Sequence, residues 1–208
     1  MQLIGQYDSP FVRRVGIALT LYGMPFEHLP WSTFGDWERF VHQNPLRRVP
    51  TLVLGNGEAL IDSAAILDHL DEAHGRERAL IAASGLNRRA SLRRIALATG
   101  TADKAVSFFY ARLFSPSLDA AFMTRSEAQV RDGLAAIEAE CAVRQGEWWH
   151  GSGPGHDDIA VACVARFLSE AYAHLVRLAD YPALAAHSAR AEALPAFQAV
   201  CQPFIPPS

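Results

Sequence analysis

Lysine is almost missing from this 208-residue sequence, occurring once, at Lys104. A phosphate-cradling NTPase needs a lysine directly after its glycine loop, and none stands after Gly151-Ser152-Gly153-Pro154-Gly155, which no strand pattern precedes either. Basic charge is short as a whole: 19 Lys and Arg against 22 Asp and Glu leave a formal net charge of -3. That excludes the positive field that nucleic acid or an anionic membrane surface requires. Cysteine is scarce. Cys141, Cys163 and Cys201 lie far apart with no CxxC spacing, so neither a disulfide framework nor a zinc site is expected, and the three read as buried or free thiols in a reducing compartment. His150 and His156 flank the glycine loop without further ligands nearby, and no metal is expected there. No run approaches the roughly 18 to 20 apolar residues that span a bilayer, and MQLIGQYDSP lacks the charged start of a signal peptide. The expectation is a cytoplasmic protein with no membrane partner.

What is present is a half-apolar chain, long enough for one large or two small domains. Its first 75 residues change character often. Gln2 to Gln6 leans apolar; Asp8-Ser9-Pro10 then reads as a helix start, with Val12, Val15, Leu19 and Tyr22 on one face and a stop at Gly23. Phe26 to Leu29 reads as a strand between two prolines, and Asp36 to His42 as a short helix ending at Asn44-Pro45. Thr51 to Leu54 and Ala59 to Ile61 flank Asn56-Gly57, a hairpin signal. Asp62-Ser63 caps a helix carrying Ile66, Leu67 and Leu70, closed by Gly75. The order β-α-β-α-β-β-α implies a parallel crossover plus an antiparallel hairpin, a thioredoxin-like layout. After a polar stretch at 82 to 87, helical patterns follow at about 88 to 114, 126 to 146, 156 to 177 and 181 to 193. The expected fold is therefore α/β plus all-α: a thioredoxin-like domain over 1–78 and a helical-bundle domain over 86–208.

In such a layout the reactive position is the turn from the first strand into the first helix, where backbone N–H groups and the helix dipole favour an anion. Here that turn holds Ser9-Pro10-Phe11-Val12 and no cysteine, which excludes disulfide exchange as its chemistry. Ser9 reads plainly as an N-cap. It also reads as a hydrogen-bond donor to a bound anion, since Tyr7, Asp8 and Pro10 around it are not the glycine-flanked elbow of a serine hydrolase. Tyr7 is a rival donor, or an aromatic packed at a strand end. Arg48-Val49-Pro50 is a bend before a strand, and Asp62-Ser63 a cap; each signal is weak alone.

Together the runs Tyr7-Asp8-Ser9-Pro10-Phe11-Val12-Arg13-Arg14-Val15, Asn44-Pro45-Leu46-Arg47-Arg48-Val49-Pro50-Thr51-Leu52 and Ile61-Asp62-Ser63-Ala64-Ala65-Ile66 resemble the glutathione transferase family, in its bacterial, serine-type, cytosolic form, and the helical second half matches too. The resemblance implies glutathione as co-substrate with no metal, Ser9 as donor to its thiolate with Phe11 beside it in the glutathione site, Val49 offering its backbone ahead of a cis Pro50, Asp62 and Ser63 holding the γ-glutamyl end, and Arg48 near the glycyl carboxylate. It implies conjugation to a small hydrophobic electrophile, as in detoxification, and a homodimer. The other reading is a catalytically silent module that binds ligands or other proteins. A free thiol titrates near 8.5, so ionising it at neutral pH takes about two units, roughly 2.7 kcal/mol, and one aimed donor supplies on the order of 2.7 to 4 kcal/mol.

The electrophile pocket is expected between the two halves, with Phe11 and Trp31 on one side and Phe108 and Arg112 on the other, although aromatics at helical spacing also serve as core. Arg88, Arg89, Arg93 and Arg94 read as a solvated or dimer-facing surface. Two departures from the family pattern stand out. Arg47 occupies the place of a small residue, and Gly155 the place of a hydroxyl cap, with Asp157 or Asp158 expected to supply the missing oxygen. An acid reaching toward the ligand has no clean match, Thr99 and Asp103 lying nearest.

Overall fold

Strand β1 (Gln2–Ile4) is the spine of the first unit, in a computed structural model that describes residues 1–115 and 117–206. It pairs in parallel with β2 (Glu27–Leu29) and antiparallel with β3 (Thr51–Val53), and β3 pairs antiparallel with β4 (Ala59–Ile61). The sheet order is β2-β1-β3-β4, so the parallel crossover and the hairpin are those read from the sequence. Helices α1 (Pro10–Leu21), α2 (Trp37–Phe40) and α3 (Ser63–His74) complete the thioredoxin-like arrangement. The periodic residues Val12, Val15, Leu19 and Tyr22 pack with Leu3, Leu52, Ile66, Leu67 and Leu70 in one buried cluster. Each such aliphatic side chain contributes about 1.5 to 3 kcal/mol on burial.

One glycine sets the spacing at the functional end of this sheet. Gly5, directly after β1, has φ +127°, and a Cβ there would stand 2.6 Å from Val12 Cγ2 and 2.9 Å from Val49. Glycine thus brings the first turn of α1 and the loop before β3 against the same strand end.

The second unit covers Leu86–Ala191. It contains α4 (Gly85–Phe114) apart from its first residue, α5 (Ala120–Ala142), α6 (His156–Ala171) and α7 (Pro182–Glu192) apart from its last. Helix α6 is buried nearly all round, as a central bundle helix must be. The helix read over 126–146 starts earlier because Asp119 caps it, its carboxylate accepting from Phe122 N at 3.0 Å.

The boundary of the helical domain is corrected at its far end. The described part of Glu192–Ser208 belongs with the first unit, and residues 207 and 208 of the expected 86–208 range lie outside the described ones. A single buried side chain explains it. Arg13 of α1 grips the Glu192 carboxylate through both terminal nitrogens at 2.5 and 2.7 Å, and donates to Val200 O at 2.7 Å and Phe197 O at 3.1 Å. This segment includes a short helix, α8 (Pro195–Ala199), that the periodicity did not indicate. Among the described residues no helix is long and apolar enough to cross a membrane.

Candidate functional site

The β1–α1 turn is built by its own sequence. Ser9 is the N-cap of α1, its extended backbone (φ -70°, ψ 124°) turning into a helix with Pro10 at the first position. Its Oγ accepts from Val12 N at 3.4 Å, a long bond at the edge of hydrogen-bond geometry. Accepting uses a lone pair and leaves the hydroxyl proton for an external acceptor. Ser9 is half-buried, and the first turn of α1 carries no acidic side chain; the carboxylate nearest in sequence, Asp8, accepts from Ile205 N at 3.2 Å.

Tyr7 lies against the core. Its ring stacks on His28 with centroids 3.7 Å apart and planes 7° from parallel, while His28 Nε2 meets Gly5 O at 2.8 Å. Burial pushes the Tyr7 phenol up to about 12, so at neutral pH it keeps its proton. The packing reading accounts for Tyr7, and His28, which sequence reasoning passed over, is what holds it.

The loop before β3 depends on a second residue the sequence reading undervalued. Asn44, taken only as part of a helix stop, is 1% exposed. Its Nδ2 donates to Arg48 O at 2.9 Å and Thr51 Oγ1 at 3.1 Å, and its Oδ1 accepts from Leu46 N at 2.9 Å. One amide therefore ties both ends of the loop carrying Arg48, Val49 and Pro50. The Val49–Pro50 peptide bond is cis, as the family resemblance implies. Arg48 is exposed, Val49 half-buried and Pro50 buried. Arg47 explains how the departure from a small residue is tolerated: it adopts φ +51°, the region glycine enters freely, and its guanidinium is held 4.6 Å over Trp37 and 3.3 Å from Glu38.

Asp62 also has a positive φ, +70°, and caps α3 through Oδ1, which accepts from Ala64 N at 2.8 Å. Its carboxylate is at the surface and Ser63 beside it is buried. In the first unit, then, Ser9, Arg48, Val49, Pro50, Asp62 and Ser63 all lie in segments that follow or precede the strand ends of one sheet.

The expected electrophile residues behave differently from one another. Phe11 is half-buried on the first turn of α1. Trp31 is half-buried, edge-on to Phe40 at 5.6 Å and covered by Arg39 at 4.3 Å. Phe108 is corrected: at 1% exposure it is core, between Phe122 and Tyr172 at 6.3 and 6.2 Å, because its position on α4 faces the bundle. Arg112 is exposed, 3.1 Å from His174 Nε2 and 5.7 Å from the Phe108 ring centre.

The densest cluster of ionisable groups is elsewhere, at the start of α6 in the second unit. Asp157 accepts from Ser91 Oγ at 2.9 Å and Arg94 Nε at 3.1 Å. Arg94 is thereby buried, a correction to its reading as a surface residue. Asp158 supplies the oxygen that Gly155 lacks, accepting from Gly155 N at 3.0 Å and Trp149 N at 3.4 Å. Burial first, and the neighbouring Asp157 charge after it, push the Asp158 carboxyl up to about 7. His187 receives a hydrogen bond from Arg144 on Nδ1 at 2.6 Å. Its proton therefore sits on Nε2, which donates to Asp158 O at 3.0 Å. Desolvation lowers His187 to about 4, so it stays neutral. Every member faces a protein partner, which makes this a structural cluster. Among the described residues no group of three or more His, Cys, Asp or Glu is arranged to hold a metal ion.

Fold and turn together define the class: a thioredoxin-like domain that bears a hydroxyl where redox members carry a cysteine, continued by an all-helical domain. The family model described as Glutathione S-transferase, N-terminal domain, matches residues 3–78, and that described as Glutathione S-transferase, C-terminal domain, matches residues 120–190. Maleylacetoacetate isomerase of Pseudomonas aeruginosa is 31% identical over 223 residues, covering 95% of this chain and 97% of that one. A crystal structure of a glutathione S-transferase from Methylobacterium radiotolerans, in complex with glutathione sulfonate, superposes with a TM-score of 0.85 at 29% identity, covering 100% of this chain and 98% of that one. The match to glutathione S-transferase U7 of Arabidopsis thaliana, 33% over 72 residues, spans 35% of this chain and only 32% of that relative. The chain belongs to the glutathione S-transferase family.

Proposed function

We propose that this protein binds glutathione in its first unit and uses the thiolate to attack a small hydrophobic electrophile. The observation that carries this reading is Ser9 at the N-cap of α1, with a hydroxyl proton to give and no acidic residue in the helix's first turn. The residues present fit the tripeptide. Asp62 offers an exposed carboxylate to the α-ammonium end and Arg48 an exposed cation to the glycyl carboxylate. Among the described residues no backbone hydrogen bond engages Val49, which leaves its N–H and C=O for the middle of the peptide.

Glutathione supplies the nucleophilic sulfur. Ser9 donates to that sulfur and lowers its proton affinity, with the N-terminal amides of α1 adding positive potential. Tyr7 keeps its own proton and serves as packing under the turn. Ser63 at the start of α3 supports the γ-glutamyl end, and Phe11 and Trp31 present apolar surface to the electrophile. A homodimer and a cytoplasmic setting belong to the same proposal, resting on family membership and on Cys141, Cys163 and Cys201 forming no disulfide among the described residues.

A second reaction is favoured by a specific observation, the full-length similarity to maleylacetoacetate isomerase. In such an isomerisation the same activated thiolate adds to a cis carbon–carbon double bond, the single bond formed rotates, and the sulfur leaves again, so glutathione is regenerated. One experiment separates the readings: retention on immobilised glutathione, followed by glutathione-dependent turnover of an aryl halide and of a cis-enedicarboxylate. Aryl-halide conjugation supports the transferase, cis–trans conversion without glutathione consumption supports the isomerase, and binding with neither reaction leaves the silent module.

A further inference from the structure

The geometry points to residues 192–205 as a strap that aims the Ser9 turn, with Gln202 as its positioning residue. The inference rests on the function proposed above and adds a part of the site that lies almost two hundred residues away in sequence. Read along the tail, the contacts move steadily toward the reactive turn. Glu192, Phe197 O and Val200 O are held by Arg13 in the second turn of α1. Gln202 Oε1 then accepts from Tyr7 N at 3.1 Å, and Ile205 N donates to Asp8 Oδ2 at 3.2 Å. Tyr7 and Asp8 are the two residues immediately before Ser9. The tail therefore runs back along α1 and ends hydrogen-bonded to the backbone and side chain that lead into the cap.

A third observation shows that α1 is shaped for this segment. A Cβ on Gly16 would stand 2.8 Å from Val200 Cγ1 and 3.0 Å from Tyr7 Cε1. Glycine at that point admits the tail and the tyrosine side by side. Phe197 and Val200 are buried, so the strap has an apolar root and a polar tip. The tip matters because, among the described residues, the Ser9 side chain makes only the long bond to Val12, and a donor that must meet a sulfur needs a fixed backbone under it. Tyr7 is fixed on its ring face by His28 and on its N–H by Gln202.

The test uses the full chain with Gln202→Leu, which removes the acceptor, and Gln202→Glu, which keeps one. Two readouts are taken: amide hydrogen exchange over residues 7–12, and the pH profile of glutathione turnover. In Gln202→Leu the Tyr7 amide should exchange at least about tenfold faster. The profile should move up by about one pH unit, and kcat should fall about tenfold. KM for glutathione should change less than about twofold, because Arg48 and Asp62 are untouched. Gln202→Glu should restore both readouts. Asp8→Ala, which deletes the other contact, is the second variant should Gln202→Leu fold poorly, and should shift the profile in the same direction. An unchanged pH profile in a folded Gln202→Leu protein, with or without faster exchange, overturns the positioning role, as does a Gln202→Glu variant no better than Gln202→Leu. Should the wild-type protein not use glutathione at all, the proposed function fails on its own; exchange over residues 7–12 then decides whether the strap holds the turn, and unaltered exchange overturns it.

Discussion

Helices α1 and α6 begin in opposite ways. The N-terminus of α6 is closed by its own residues: Asp158 takes Gly155 N and Trp149 N, Asp157 takes Asp158 N, and both acids are fully buried against Arg94, Ser91 and His187. The N-terminus of α1 has a neutral hydroxyl, one long bond and no acid in its first turn. A helix start that carries its own carboxylates has spent its positive potential on the fold, whereas one capped by a neutral group keeps that potential for a ligand. The two ends thus separate a structural cluster, rich in perturbed titrations, from a candidate turn whose one shifted group, Tyr7, is raised by burial alone. Strong pKa shifts alone direct attention to α6, where the shifted groups are engaged within the fold.

The largest expected effect is on the closed end. Asp157→Ala strips buried Arg94 of its nearer carboxylate and leaves it only Glu140, at 3.9 Å, and should lower unfolding free energy by about 3 kcal/mol. Denaturant titration checks it, and a loss under 1 kcal/mol would mean that the Arg94 pair is not the keystone of the α6 start. At the open end the balance reverses. Ser9→Ala should cost less than about 1 kcal/mol of stability, at the low end for a cap because its bond is long, yet lower kcat/KM by about 100-fold or more. Equal turnover by the variant and the wild type would remove Ser9 from the chemistry.

The third effect concerns pH, and its two parts nearly cancel in the wild type. His187 is lowered to about 4 and Asp158 raised to about 7. Between about pH 4 and 6.5 the unfolded chain holds a proton on His187 that the folded one lacks, so this group favours folding more as pH rises. Over the same range the folded chain holds a proton on Asp158 that the unfolded one has lost, so that group favours folding less as pH rises. The two slopes, each about 1.4 kcal/mol per pH unit, oppose. His187→Gln should expose the Asp158 slope, with stability declining from about pH 4 to 7 relative to wild type. Unfolding curves at several pH values read this directly, and a variant curve parallel to that of the wild type would refute the opposing pair.

Much of the candidate site was legible because its signals are local. Ser9-Pro10 and Asp62-Ser63 declare helix starts within four residues, and Asn56-Gly57 declares its hairpin, since caps and turns are chosen by nearby backbone sterics and hydrogen bonds. Arg47 was legible as a departure but not as a solution. Its positive φ is stabilised by Trp37 and Glu38, partners nine and ten residues back. Phe108 shows the limit of periodicity, which marks an apolar face without saying whether a neighbouring helix or a ligand covers it.

From its residue order alone, this chain declared the strand and helix sequence of its first half, the missing cysteine at the β1–α1 turn and the hydroxyl in its place, because each depends on neighbours a few residues apart. Folding in three dimensions settled the rest. Arg13 gathers Glu192, Phe197 and Val200, Gln202 returns to Tyr7, and Asp157 buries Arg94. Those pairings join residues from 63 to 195 positions apart, and charge, burial and hydrogen bonding select such partners only after the chain has been brought together.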